Sequence, residues 1–266
     1  MARKESPEIH PTAIVSPKAV IGKGVTIEAC CVIGEEVEIG ENTYVGPHTR
    51  MEGPTKIGKN NNFIGQASIG TPPQDLKFRG ERTTLEIGDN NTIREFVTMN
   101  RGTGEGLEKT VVGSNNLIMT GVHIAHDCIV GNHVIMANSA TLAGHVLIED
   151  HSNIGAFTPV HQFCRVGIHA FIGGCSVITR DALPFVKTVG ARGEANIYGI
   201  NTIGLERKGF SKERISALKS AYRTLFHSRG IPMKERIAKV READSLLPDV
   251  EILLDFIETS ERGIIR

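Results

Sequence analysis

The sequence predicts an all-β fold, a parallel β-helix of six-residue repeats, followed by a C-terminal α-helical domain. Three observations carry this. An apolar residue recurs at every sixth position over most of the chain. Glycine is abundant (29 of 266 residues) while large rings are scarce, with no Trp and three Tyr. Near residue 211 the period changes from six to that of an amphipathic helix. A core without large rings must be built from Ile, Val, Leu and Ala in a chain that turns often.

The repeat starts at Ile9 and runs through Val15, Ile21, Ile27, Ile33, Ile39, Val45, Met51, Ile57, Phe63 and Ile69, all apolar, often with Gly next (Gly22, Gly34, Gly40, Gly46, Gly58, Gly70). It skips, resumes in phase at Ile87, Ile93 and Met99, skips again, and restarts one residue out of phase at Val112, running to Ile178. A period of six is neither 3.6 nor 2, and it marks a solenoid of stacked repeats. Three hexads close one coil of eighteen residues, and coils stack at the strand spacing of about 4.8 Å. The 26 hexads therefore make between eight and nine coils. The skips, 71–84 and 100–109, are predicted loops, and interruptions of so regular a solenoid are where function is expected.

The expected division is 1–190 for the β-helix and 191–266 for the helical domain. From Ser211, a predicted N-cap, Ile215, Leu218, Ala221, Tyr222 and Leu225 form one stripe. Gly230-Ile231-Pro232 ends that helix, and two more are predicted at about 233–246 and 249–261, separated by Pro248. The tail is expected to cover the solenoid's open end. Its basic residues Arg207, Lys208, Lys212, Arg214, Lys219 and Arg223 suggest a dock for an acidic partner.

Thirty basic and thirty acidic residues cancel, which argues against a nucleic-acid binder driven by bulk charge. No apolar run reaches eighteen residues, so no membrane span is expected. The polar start and five cysteines without a CxxC pair predict a cytoplasmic protein with reduced thiols.

An eighteen-residue coil sets residue n beside n+18. Residues 125, 143 and 161 share a column, 126, 144 and 162 the next, and 127, 145 and 163 the one after. His126, Gly144, His145, His161 and Gln162 thus gather in one patch, with His123 three residues back along its coil. Two chemistries compete. Neutral imidazoles can bind zinc with an open water position, or one His can act as general base while the others position substrate. Asp127 beside His126, with Asp75 and Lys77 in the first loop, favours the second. The Gly144 N–H is a candidate oxyanion donor. No nucleophile stands out, Cys164 being the nearest candidate.

At these residues the chain resembles the UDP-N-acetylglucosamine acyltransferases of lipid A biosynthesis. The matching segments run from Ile69-Gly70 to Gln74-Asp75-Leu76-Lys77, through Asn100-Arg101-Gly102-Thr103, His123-Ile124-Ala125-His126-Asp127-Cys128 and Leu142-Ala143-Gly144-His145-Val146. They continue with Val160-His161-Gln162-Phe163-Cys164, Gly173-Gly174-Cys175-Ser176 and Gly209-Phe210-Ser211, and end at the terminal Arg-Gly-Ile-Ile-Arg. The resemblance covers nearly the whole chain. It implies a left-handed β-helix, against the usual right-handed crossover. It also implies a homotrimer with sites between subunits, and transfer of an R-3-hydroxyacyl chain from acyl carrier protein to the sugar 3-position, with no cofactor. His126 matches the general base, Asp127 its supporting carboxylate and Gly144 the oxyanion donor. Gln74, Asp75, Lys77, His123, His145, His161, Gln162 and Asn201 match substrate-contacting positions. Arg207 matches a residue at the nucleotide phosphates, and Gly174 one that gauges acyl length.

The chain departs from some members at Glu194, near the acyl channel's end, and at Ile203, near the ribose. Alternatives are a related sugar N-acyltransferase using a 3-amino acceptor, a zinc carbonic anhydrase-like β-helix and a non-catalytic solenoid.

Overall fold

A computed structural model describes residues 6–228, 230–242 and 246–266. The hexads form a left-handed parallel β-helix with three faces. One sheet runs from Glu8–Ile9 to Phe171–Ile172, the second from Ile14–Val15 to Pro159–Val160, the third from Val20–Ile21 to Arg165–Val166. Each strand is two to four residues long before a corner intervenes. The repeat residues point inward: Ile33, Met51, Ile69, Met99, Ile124, Leu142 and Val160 stack down one face, all 0–1% exposed. Burying such a side chain contributes roughly 1.5–3 kcal/mol. At the first coil Ile9 remains 43% exposed, because among the described residues no coil lies below it.

The register explains the two phase changes. Ile9 pairs with Ile27 and Ile124 with Leu142, eighteen apart. Across the first loop Phe63 pairs with Ile93, thirty apart, so twelve residues are inserted, two whole hexads. Across the second Ile93 pairs with Ile118, twenty-five apart, so seven are inserted, one hexad plus one residue. The first insertion preserves phase and the second shifts it by one.

Corner polarity is handled by side-chain ladders. Buried Asn61 accepts from the Asn91 N–H and side-chain amide (2.9 and 3.0 Å), Asn91 accepts from the Asn116 N–H (2.9 Å) and Asn116 from the Val134 N–H (2.7 Å). Removing one rung would leave buried groups unpaired at about 1–3 kcal/mol each.

Past the coils, Val186–Val189 extends the first sheet and pairs antiparallel with Asn196–Ile200. Among the described residues four helices follow: α1 (Thr202–Arg207), α2 (Lys212–His227), α3 (Met233–Arg241) and α4 (Pro248–Glu258). Ser211 caps α2 by accepting from the Arg214 N–H (3.3 Å), as predicted. Pro248 opens α4 rather than separating two helices, since a first-turn proline loses no hydrogen bond there. The expected helix to 246 ends at Arg241, and 243–245 lie outside the described residues. α1 is too short to show a period, so the sequence does not reveal it.

A second apolar cluster, from Leu183 to Ile264, joins the helices to the last coil. Among the basic residues, Arg214 is committed inward. It grips Asp249 with two bonds (2.7 and 2.8 Å) and lies 3.7 Å above the Phe210 ring.

Candidate active site

Both inserted loops leave the corner between the second and third faces, the corner that carries Ala125–Cys128 two coils beyond the first loop and one beyond the second. The predicted columns hold. The His145 N–H donates to the His126 carbonyl (3.1 Å) and the Phe163 N–H to the Gly144 carbonyl (3.2 Å). Asp127, His145 and Phe163 each have φ near +60°, but so does this position at many corners, so the strain belongs to the coil and not to the site.

Asp127 is the anchor. Its side chain is fully buried and accepts from the Thr103 hydroxyl (2.6 Å), the Thr103 N–H (3.1 Å) and the Leu107 N–H (2.8 Å), all from the second loop. Burial alone would raise its pKa, but the hydrogen bonds from His126, Thr103 and Leu107 outweigh it and hold the carboxyl below its usual value. An ionised Asp127 can only accept, so His126 donates through Nδ1–H (2.8 Å). That leaves the Nε2 lone pair of His126 free, with Asp75 Oδ2 at 4.0 Å, beyond hydrogen-bond length.

Gly144 is required by close approach. A Cβ there would lie 2.5 Å from His126 Cε1 and 2.8 Å from Nε2. Its N–H has no acceptor among the described residues, a consequence of corner geometry that His126 and Gln162 share. At Gly144 this free donor belongs to the residue on which the His126 ring packs.

His145 stands edge-on to His126 (5.3 Å between centroids) and stacks on Phe163 (4.5 Å). Burial lowers its pKa despite Asp127 Oδ2 at 3.7 Å. A cleft of about 870 Å³ collects His126, His145, Gln162, Gln74, Asp75 and Lys77 with the second loop. The Asp75 carboxylate accepts from the Lys77 N–H (2.9 Å), and Lys77 Nζ reaches Glu105 (3.0 Å) across the loops. Two of the four predicted histidines do not line this cleft. His123 bonds the Thr98 hydroxyl (2.7 Å), with its pKa lowered by burial and by His126. His161 has Nδ1 3.1 Å from the Gln162 carbonyl and 3.2 Å from the Arg262 guanidinium.

Asn201 and Arg207 lie elsewhere, in a second cavity of about 620 Å³ between α1 and the first sheet. The Asn201 side chain caps α1 by accepting from the Gly204 N–H (3.3 Å) and donates to the His169 carbonyl (3.2 Å). Ile203, one of the departures, lines the same space. Gly174 lines neither cavity, and a Cβ there would meet only Ala156 backbone at 3.4 Å or more. The sequence does not assign Thr103, Leu107 or Glu105, because loop conformation brings them to the site and the column arithmetic stops at the coils.

Ligand atoms of His126, Asp127 and His145 lie within 4.8 Å of one another. Asp127, however, already accepts from Thr103, Leu107 and His126, so a cation would have to displace these donors. The donor set suits a hydrogen-bonded base better than a metal. Cys164 is buried, and burial pushes its thiol up to about 11; Cys128 is likewise pushed up to about 12. Neither supplies a thiolate.

An imidazole oriented by a carboxylate at the corner of a hexapeptide coil defines a hexapeptide-repeat transferase. Residues 109–144 match a family described as bacterial transferase hexapeptide. Residues 181–265 match one described as UDP-N-acetylglucosamine O-acyltransferase, domain 2. The acyl-[acyl-carrier-protein]--UDP-N-acetylglucosamine O-acyltransferase of Thermodesulfovibrio yellowstonii is 50% identical, over 97% of this chain and 99% of its own. That of Xylella fastidiosa is 48% identical over 99% of each. The solved Acinetobacter baumannii enzyme superposes with a TM-score of 0.92 at 44% identity, covering 97% of this chain and 99% of its own. The chain belongs to the UDP-N-acetylglucosamine O-acyltransferase family.

Proposed function

We propose that this protein moves an R-3-hydroxyacyl chain from acyl carrier protein to the 3-hydroxyl of UDP-N-acetylglucosamine, the first step of lipid A biosynthesis. The observation that carries the reading is the His126 tautomer. Buried, ionised Asp127 holds Nδ1–H, and Nε2 is left as the base beside the free N–H of Gly144. In the proposed reaction Nε2 takes the proton of the sugar 3-hydroxyl as its oxygen attacks the thioester carbonyl. The resulting oxyanion is met by the Gly144 N–H. The carbon–sulfur bond then breaks, and the departing thiolate recovers the proton from His126.

The second cavity belongs to the same reading. It is lined by Lys187, Arg207 and Lys208 and by no acidic residue, which suits the nucleotide diphosphate. We place the complete site between subunits of a homotrimer, where the His126 cleft of one copy meets the Arg207 cavity of the next. His123, His161 and Gly174, outside the two cavities in one chain, are assigned to that composite site. No described helix is long and apolar enough to cross a membrane.

The test is an acyl-transfer assay with UDP-N-acetylglucosamine and carrier proteins bearing hydroxyacyl chains of graded length. Transfer with at least one length is expected, and none with any length overturns the reading. A matched acceptor with a 3-amino group distinguishes ester from amide formation. Sedimentation analysis checks the trimer, and a monomer that remains active would remove the between-subunit site.

A further inference from the structure

One corner along from the Asp127 column, residues 133, 151 and 169 are all histidine, again eighteen apart. Their rings stack almost face to face, His133 on His151 at 4.8 Å and 9°, His151 on His169 at 4.6 Å and 7°. The column continues onto Phe185 at 5.8 Å, and all three histidines line the 620 Å³ cavity. We infer that this imidazole column takes up a proton when a nucleoside diphosphate ligand enters the cavity, so that binding there tightens as the pH falls. The inference rests on the reading of the cavity as the nucleotide's.

The physical ground is the surrounding charge. His151 faces Lys208, His133 and Asp150, and His169 faces His151, Lys208, Asp249 and Arg214. Neither carboxylate is free: Asp150 accepts from the Asn132 backbone (2.7 Å), and Asp249 is held by Arg214. Two charged rings 4.6 Å apart would repel each other with no counter-ion between them. Burial lowers both pKa values, that of His169 to about 4, and the neighbouring rings and Lys208 add to the effect. Without a bound anion the surroundings therefore disfavour the charged forms of His151 and His169. A ligand with two ionised phosphates offsets Lys208 and Arg207 and supplies the missing negative charge, so an imidazolium becomes favourable. Linkage then requires that the proton favour the ligand as much as the ligand favours the proton.

The experiment is calorimetric titration of the full-length protein with UDP-N-acetylglucosamine at pH 7.5 and 5.5, each in two buffers of different ionisation enthalpy. The ligand's phosphates stay ionised throughout, so proton uptake belongs to the protein. A Kd about three- to tenfold tighter at pH 5.5, with net proton uptake, is expected, since one fully coupled proton gives up to about tenfold per pH unit. The double variant His133→Phe, His151→Phe keeps a stack of rings and should hold the change to about twofold or less. Its thermal melt reports whether it folds, and proton uptake by the unaltered protein is an independent measure. Binding at pH 7.5 that is unchanged at 5.5, without proton uptake, overturns the inference and leaves the nucleotide reading standing. A double variant that keeps the full pH shift also overturns it. No binding at any pH removes the nucleotide reading and the inference together.

Discussion

Two corners of the same solenoid carry histidines at equivalent positions and give them opposite surroundings. At the Asp127 corner, His126 bonds a buried carboxylate, and His145 lies 3.7 Å from it. At the His151 corner the rings stack on one another beside Lys208, with no free carboxylate. Backbone and side-chain type are alike at His145 and His151, both with φ near +60°. The difference comes from what the neighbouring segments deliver. The inserted loop brings N–H donors that keep Asp127 ionised and orient the His126 ring, while at the other corner burial first, then Lys208 at the end of α1, lowers the pKa values of His151 and His169.

The largest effect expected from breaking the contrast is at His126. His126→Ala should lower transfer by about 10²–10⁴-fold with the circular dichroism spectrum and thermal midpoint retained; a loss below about tenfold would remove the base assignment. Asp127→Asn tests the orientation of that base. It leaves donors of the second loop facing an amide, and we expect transfer down about 10²-fold, with about 1–3 kcal/mol of stability lost, read by denaturant melts and single-turnover rates. Gly144→Ala inserts a methyl 2.5 Å from His126 Cε1. A roughly 10–10²-fold fall in kcat is expected with little change in the melt, and an unchanged kcat would show that the ring is free to move aside.

The surroundings of His151 and His169 predict a milder effect of pH on the unliganded protein. The folded pKa values of His151 and His169 are lowered, His169 to about 4. A base whose folded pKa is depressed contributes stability above its unfolded value of about 6.5, lost as pH falls toward the folded value. The unfolding free energy should therefore decline between pH 6.5 and 4, by on the order of 1–3 kcal/mol in all, seen as a falling melting temperature, and His151→Phe should flatten the upper part of that decline. The smallest effect is expected at Glu105, whose partner Lys77 is largely exposed. Glu105→Gln frees Lys77 for substrate and should lower KM by about two- to threefold at low salt, an effect that added salt erases.

The coil was legible because its physics is one-dimensional. A six-residue period has a single stacking solution, so Ile124, Leu142 and Val160 announce their own neighbours, and with them His126 beside Gly144 and His145 beside Asp127. The capping stripe of α2 was legible for the same reason, through Ser211 and Ile215 to Leu225. The loops were located as skips but not folded by that arithmetic, and Thr103 and Leu107 therefore went unassigned although they hold the Asp127 carboxylate. The column rule that exposed the His126 patch also contained His133, His151 and His169. It gave no hint of function there, because the residues that set their charge, Lys208 and Arg214, come from helices outside the repeat.

The sequence by itself determined the period, the number of coils, the phase of each insertion and the meeting of His126 with Gly144, because stacking turns spacing directly into contact. Only the tertiary structure decided which histidine is paired with a buried carboxylate and which are stacked away from one. Protonation depends on burial and on charges delivered from distant segments, Thr103 and Leu107 on one side and Lys208 on the other, and no periodicity encodes those approaches.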